Sequence, residues 1–338
     1  HFNPCNYINS RNNYLTFSRH MESFGDLFTI ELSFDNKFFT DSQSSIHIRG
    51  KKSNILWQKE VLLNTLLEEI PKEYTNIAWI DSDIIFRDPY WHIQLDSLLS
   101  NYKILQLFSH GYRINSEGLI VDENKFISRV KYHPYGVTGF AWASRREVID
   151  EIKFLDNQIL GGADYVMCAA FMNEPSLLEK LSFYHEPLTT IKWIENASRA
   201  VSKSVSFLNT GIYHLYHGTA DNRNYSKRYN VIKQYNPDNF KKIDNLWTCE
   251  NKNITQHILN YFSSRQEDDN VLAPNDVFDQ IYVLNLDREP EKYDIISKKL
   301  QKLNINFTRF SGVDGKNLDF DESSFVQGRG LLENKYAL

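Results

Sequence analysis

Cysteine is scarce. Three residues, Cys5, Cys168 and Cys249, stand far apart in a chain of 338. That excludes a disulfide framework and a cysteine-built zinc site, both of which need closely spaced sets. Basic charge is not in excess either: 38 Lys and Arg against 43 Asp and Glu leave a net charge of −5. No global field draws in a polyanion, so nucleic acid is not an expected partner. Long apolar runs are missing too, and none approaches the ~20 residues of a membrane span. No signal peptide opens the chain, whose first residue is His1 rather than Met. A secretory-pathway lumen or a host-cell compartment is the expectation only if an upstream segment targets the protein there.

What is present is ordinary globular composition, 41% hydrophobic and 24% charged, which excludes wholesale disorder. The length is about twice a usual domain of ~150 residues, so one large α/β domain or two domains are expected. Aromatics, at 14%, are in excess. They suit carbohydrate stacking, and a coding bias towards Asn, Ile, Lys, Phe and Tyr accounts for them equally well.

Along the chain, Leu27 to Leu32 reads as a strand, and Asn54 to Ile70 as a helix stopped by Pro71. Ile77 to Ile80 and Ile104 to Phe108 read as buried strands, and Gly139 to Ala143 as another. Helices are expected to begin near Ser144 and near Gly161, the second running through Met172. Strands alternating with helices predict an α/β sandwich over residues 1–262. Residues 263–275 are charged, contain Pro274 and read as a linker. From 276 to 338 the pattern is strand, basic helix, strand: the start of a second β-α-β domain, expected to be incomplete.

The most informative segment is Trp79-Ile80-Asp81-Ser82-Asp83, an apolar strand delivering two carboxylates at its carboxyl end. Ligands of open α/β sheets bind outside that end. Paired carboxylates offer oxygen to a hard divalent cation, which in turn neutralises a diphosphate. The bland alternative is a surface turn, but carboxylates flanked by Ile80 and Ile84-Ile85-Phe86 need a reason to be there. His214 and His217 offer nitrogen to the same kind of ion. Residues three apart on a strand face opposite ways, so one of the two is expected to ligate. His217, beside Gly218, is preferred over His214. Asp164 follows Gly161 and Gly162 at a helix start. It is a candidate general base, a donor-sugar anchor, or simply a helix N-cap. Phe140, Trp142 and Trp193 are stacking candidates that serve equally as core, and Trp57 falls on the Asn54 helix. Four Asn-x-Ser/Thr triplets, at Asn196, Asn224, Asn253 and Asn306, carry little weight.

These residues resemble metal-dependent glycosyltransferases of the GT-A fold, a Rossmann-like transferase of nucleotide-diphospho-sugars with a mixed sheet between helices. The resemblance extends over Asn54 to Glu60, Pro89-Tyr90-Trp91, Thr138 to Ala143, Gly161 to Asp164 and His214 to Gly218. The order of motifs is similar to that of β-1,4-galactosyltransferase-like enzymes. Ala163 and a single Asp164 replace their acidic cluster, which leaves inverting and retaining courses both open. The resemblance implies Mn²⁺, with Mg²⁺ as a substitute, on Asp83, Asp81, His217 and His214. It implies a UDP-sugar held by Pro4, Tyr7, Arg11, Trp57, Asp81, Ser82, Gly218 and Arg223. The sugar and acceptor would meet Gly139, Phe140, Trp142, Gly161, Gly162 and Asp164.

Asp279 to Arg288, with Phe310 to Gly315, resembles the start of family 25 glycosyltransferases, which include lipopolysaccharide and procollagen galactosyltransferases. By that company the expected donor is UDP-glucose, then UDP-galactose. The expected acceptor is a glycan, with galactosyl-hydroxylysine of a collagen-like protein the specific candidate. Alternatives are extension of a lipopolysaccharide-like glycan, a catalytically dead nucleotide- or carbohydrate-binding module, and a metal-dependent phosphohydrolase.

Overall fold

A computed structural model describes residues 1–35, 37–40, 45–133, 135–174, 187–218, 228–265, 280–302 and 305–314. Contacts divide the chain into two units, His1–Asn270 and Val271–Leu338. The first opens with α1 (Ile8–Met21), then β1 (Thr29–Ser33) and β2 (Ser45–Arg49), which pair in parallel. Next come α2 (Lys59–Glu69), β3 (Asn76–Ile80), β4 (Ile84–Phe86), α3 (Leu95–Asn101), β5 (Ile104–Gln106), β6 (His110–Ile114) and β7 (Ile120–Ile127). The central stretch holds β8 (Ala141–Arg145), α4 (Arg146–Ile152), α5 (Ala163–Met172), α6 (Pro187–Val201), β9 (Val205–Phe207) and β10 (Gly211–His214). The unit closes with α7 (Arg228–Lys233), the antiparallel pair β11 (Lys241–Ile243) and β12 (Leu246–Thr248), and α8 (Lys252–Ser263).

The fold is mixed α/β, but the strands do not make the single mixed sheet expected from the sequence. They divide into several small sheets, two of them four-stranded, with orders β3-β8-β5-β9 and β4-β10-β6-β7. The chain passes from the first of these to the second three times: from Ile80 to Ile84, from Gln106 to His110, and from Phe207 to Gly211. Hydrogen bonds continue across the seam, from Asp81 N to Phe140 O (2.7 Å), Leu107 N to Ala141 O (2.9 Å) and Ser109 N to Thr210 O (2.9 Å). Two local features make the break. Asp81-Ser82-Asp83 turns between β3 and β4, and Phe140 takes a left-handed φ of +81° just before β8. The expected strand from Gly139 therefore starts at Ala141.

Both faces of β5 and β8, in the first four-stranded sheet, are packed. Ile104 and Trp142 enter the cluster beneath α2, α4, α5 and α8, while their neighbours Leu105, Ala141 and Ala143 enter a second cluster with Ile84, Phe86 and Phe108. Alternation along a strand splits neighbours this way, and it explains why these strands read as unbroken apolar runs.

The helix expected from Asn54 begins at Lys59 instead. Asn54 donates to Trp247 O and Thr248 Oγ1, and the fully buried Gln58 donates to Trp247 O and accepts from Trp247 N. These bonds tie the segment to β12 and hold it off the helical path. Trp57 therefore lies on the approach to α2 and not on it. At the other end of α2, the buried Arg146 donates to Leu67 O, Ile70 O and Pro71 O. It satisfies carbonyls that a helix C-terminus leaves open. α8 runs through Ser263 with Tyr261 and Phe262 buried, and Arg265 N bonds Phe262 O. Among the described residues, no helix is long and apolar enough to cross a membrane.

In the second unit, β13 (Tyr282–Leu286), α9 (Pro290–Lys302) and β14 (Thr308–Gly312) form a β-α-β unit with parallel strands.

Arg146→Ala strands three carbonyls and empties a buried site. It should lower unfolding free energy by about 3 kcal/mol, read from the urea midpoint at unchanged slope.

Candidate functional site

The site lies on the seam between the two four-stranded sheets. β10 runs antiparallel to β4 with His214 opposite Ile84, and Leu215 N bonds Asp83 O at 2.8 Å. That register sets His214 beside Asp83. The strand ends at His214, so alternation no longer governs the residues that follow. His217 turns back, and both imidazoles reach the same carboxylate. His217 Nε2 lies 2.9 Å and His214 Nε2 3.4 Å from Asp83 Oδ2, and the two nitrogens are 3.0 Å apart. Both imidazoles therefore face Asp83, where the spacing of three had led to the expectation of a single ligand. Burial works to raise the Asp83 carboxyl, but the two imidazoles outweigh it and hold it well below the usual carboxylate range.

Asp83 Oδ1 is buried with no hydrogen-bond partner among the described residues. One carboxylate and two imidazole nitrogens within 4.8 Å of one another are a donor set that suits a divalent first-row metal ion. The residues fit such an ion.

Asp81, one turn residue away, does not join this cluster. It forms an ion pair with Lys59, the first residue of α2. Burial raises the Asp81 carboxyl. It works against Lys59 as well, yet Asp81 and Glu60 together keep the ammonium above its ordinary range.

Asp164 stands in the first turn of α5, one residue beyond the start. The N-cap is Gly162, at φ +101°, so the N-cap alternative for Asp164 is set aside. Facing it is Gly139, where a Cβ would come within 2.7 Å of Asp164 Oδ2. The missing side chain at Gly139 is what makes room for the carboxylate. The Phe140 ring packs against His214 with centroids 4.8 Å apart.

A cavity of about 870 Å³ joins these groups, a size suited to a nucleotide-like ligand. Pro4, Tyr7, Trp57, Asp81, Ser82 and Asp83 line it, as do Gly139, Phe140, Gly162, Asp164, His214 and His217. Other expected residues stand elsewhere. Arg11 bonds Asn6 Oδ1 and lies over the Phe39 ring. Trp142 is buried, donates to Thr138 O, and borders only a small pocket beside the main cavity. Gly161 and Gly218, both at positive φ, are not on the main cavity wall. Trp193 donates to Ile152 O and borders a separate cavity. Arg223 lies outside the described residues.

Lys59, Glu60 and Arg113 also line the main cavity and went unassigned from the sequence. Arg113 sits beside His214 through the β6–β10 register. Glu60 is buried and accepts from Trp57 Nε1 at 2.9 Å. Burial, reinforced by Asp164, pushes its carboxyl up to about 7 against the pull of Lys59. A charged pair at the head of the apolar stretch Val61 to Leu67 was the available signal for Lys59 and Glu60, though a surface helix start looks the same.

Residues 278–336 match the family described as Glycosyltransferase family 25 (LPS biosynthesis protein). The match supports a glycosyltransferase domain in the second unit. Comparison with curated proteins and with solved structures gives no match.

Glu60 yields a pH prediction. A carboxyl raised from 4.5 to about 7 on folding binds more protons in the folded state between those values. Stability therefore falls as pH rises through that window. Glu60→Gln lacks the loss. From about pH 4.5 to about pH 8, the unfolding free energy read from urea midpoints should shift in the variant's favour by on the order of 3 kcal/mol.

Proposed function

We propose that the first unit is a metal-dependent glycosyltransferase of GT-A type, moving a hexose from a UDP-sugar to a glycan acceptor. The observation that carries this reading is the convergence of Asp83, His214 and His217 on one point, with Asp83 Oδ1 left without a hydrogen-bond partner among the described residues at a nucleotide-sized cavity. Asp83, His214 and His217 would hold Mn²⁺, and Asp81 lies close enough in sequence to reach it through water or to take a ribose hydroxyl. A divalent cation there supplies charge neutralisation of the diphosphate leaving group. The neighbouring match to a glycosyltransferase family supports sugar transfer as the chemistry.

The chain's own residues have separable tasks. Trp57, Tyr7 and Pro4 form the cavity wall for the nucleoside. Lys59 keeps a fixed positive charge beside Asp81. Asp164 meets the reacting centre. In an inverting course the bond from the anomeric carbon to the diphosphate oxygen breaks, a bond to the acceptor oxygen forms, and the acceptor's hydroxyl proton passes to Asp164. In a retaining course Asp164 anchors the donor sugar instead. UDP-glucose ahead of UDP-galactose is the donor, and galactosyl-hydroxylysine of a collagen-like chain the acceptor. The support for these two assignments is the adjoining second unit alone. The family description names LPS biosynthesis, which favours extension of a lipopolysaccharide-like glycan as a second reading.

The deciding assay incubates the full chain with a panel of UDP-sugars, with and without Mn²⁺. Transfer that needs Mn²⁺ supports the reading, whereas UDP binding without any turnover indicates a dead binding module, and phosphate release from monoesters a phosphohydrolase. Asp83→Asn should abolish turnover and Mn²⁺-dependent UDP binding, followed by calorimetry. If it retains both, the metal site is elsewhere.

Gly139→Ala presses a methyl onto Asp164 Oδ2. Turnover should fall by about a hundredfold through the misplaced carboxylate, while UDP affinity holds.

A further inference from the structure

The cavity holds a carboxyl that the scheme above does not use. Asp83 faces two imidazoles, Asp81 faces Lys59, and Asp164 lies over Gly139 in the first turn of α5. Glu60 is held differently. Its side chain is buried yet borders both the main cavity and the small pocket beside it, where Lys59, Asp81, Gly139 and Asp164 also stand. Among the described residues, its hydrogen-bond partners are the Trp57 indole, donating to Oε2 at 2.9 Å, and its own backbone amide.

Even with the Lys59 charge nearby, burying a carboxyl with one neutral side-chain donor is costly, and an apolar residue would fill the first turn of α2 at less cost. A buried polar side chain with so little to bond, placed in the wall of a ligand cavity, is explained by a ligand. The position narrows the ligand's chemistry. Glu60 shares its small pocket with the Lys59–Asp81 pair, one turn residue from the metal cluster, and with Asp164 at the reacting centre. A group lying between a diphosphate at the first and an acceptor at the second is the hexose ring of the donor. Hexose hydroxyls are both donors and acceptors. A carboxyl pushed up to about 7 offers both complements near neutral pH.

We propose that Glu60 is a specificity-determining residue that hydrogen-bonds a hydroxyl of the transferred hexose. The inference rests on the glycosyltransferase reading above and deepens it. It makes Trp57 the support of this contact, since the indole fixes one carboxyl oxygen and leaves the other for the sugar.

The test compares the full chain with Glu60→Gln and Glu60→Ala. It measures kcat/KM for UDP-glucose, UDP-galactose and UDP-N-acetylglucosamine, with calorimetric affinity for UDP alone and near-ultraviolet circular dichroism as the folding control. The parent should prefer one donor. In Glu60→Ala that preference should shrink by about tenfold or more, while UDP affinity stays within about twofold, because the lost contact is to the sugar and not to the nucleotide. Glu60→Gln keeps an acceptor for the Trp57 indole, so it should hold the parent's aromatic spectrum while losing part of the preference. That variant decides the matter if Glu60→Ala does not fold.

Donor preference unchanged in the folded variants overturns the proposal, and so does a parallel loss of UDP affinity and turnover for every donor, which marks a purely structural Glu60. A parent that turns over none of the donors overturns the glycosyltransferase reading and this inference with it. Turnover with unaltered preference removes the inference alone.

Discussion

The register of β10 is the constraint on which the candidate site depends. β10 lies between β4 and β6, antiparallel to one and parallel to the other. The pairing puts His214 opposite Ile84 and beside Arg113, on the face turned to the cavity. A slip of one residue would send every side chain of the strand to the opposite face, bringing Tyr213 inward and His214 outward. Asp83 would then be a buried carboxylate without its imidazoles, a placement that burial alone does not support. The bond from Leu215 N to Asp83 O pins the register at the point where the strand gives way to the turn carrying His217.

Around that point the protein handles four carboxyls in four ways. Asp83 keeps its charge because two imidazoles sit against it, and Asp81 takes Lys59 as partner. Asp164 stands in the first turn of α5, where the open amides and the helix dipole favour an anion. Glu60 yields to its surroundings and is pushed towards the neutral form. Like charges crowded into a low-dielectric pocket repel strongly. The different settlements are what let them share one cavity.

Much of this was legible in the sequence, for identifiable reasons. Asp81-Ser82-Asp83 drew notice because paired carboxylates at the end of an apolar strand are costly to place, and the structure sets them on the cavity wall. The unbroken apolar run at 104–108 gave a buried strand because both faces of the sheet are packed there, whereas in the run at 77–80 Ala78 stays exposed. The failures have separate causes. Apolar spacing carried the predicted α2 back to Asn54, but Asn54 and Gln58 are held by a strand almost two hundred residues on. The two-histidine arrangement escaped a period-two argument because the strand stops at His214. The seam between the two four-stranded sheets coincides with one turn and one left-handed phenylalanine, which composition does not reveal. Lys59 and Glu60 looked like a solvated helix start, and only the fold turns them towards the cavity.

The interleaved strand order also bears on how the protein is made. Asp83 and Lys59 leave the ribosome early, but the strand that completes their surroundings emerges only after α6 and β9. Until β10 threads between β4 and β6, the seam is an open slot with two unpaired edges. A growing chain in that condition invites strands from elsewhere. Closure of the slot and the meeting of Asp83 with His214 and His217 are therefore one event.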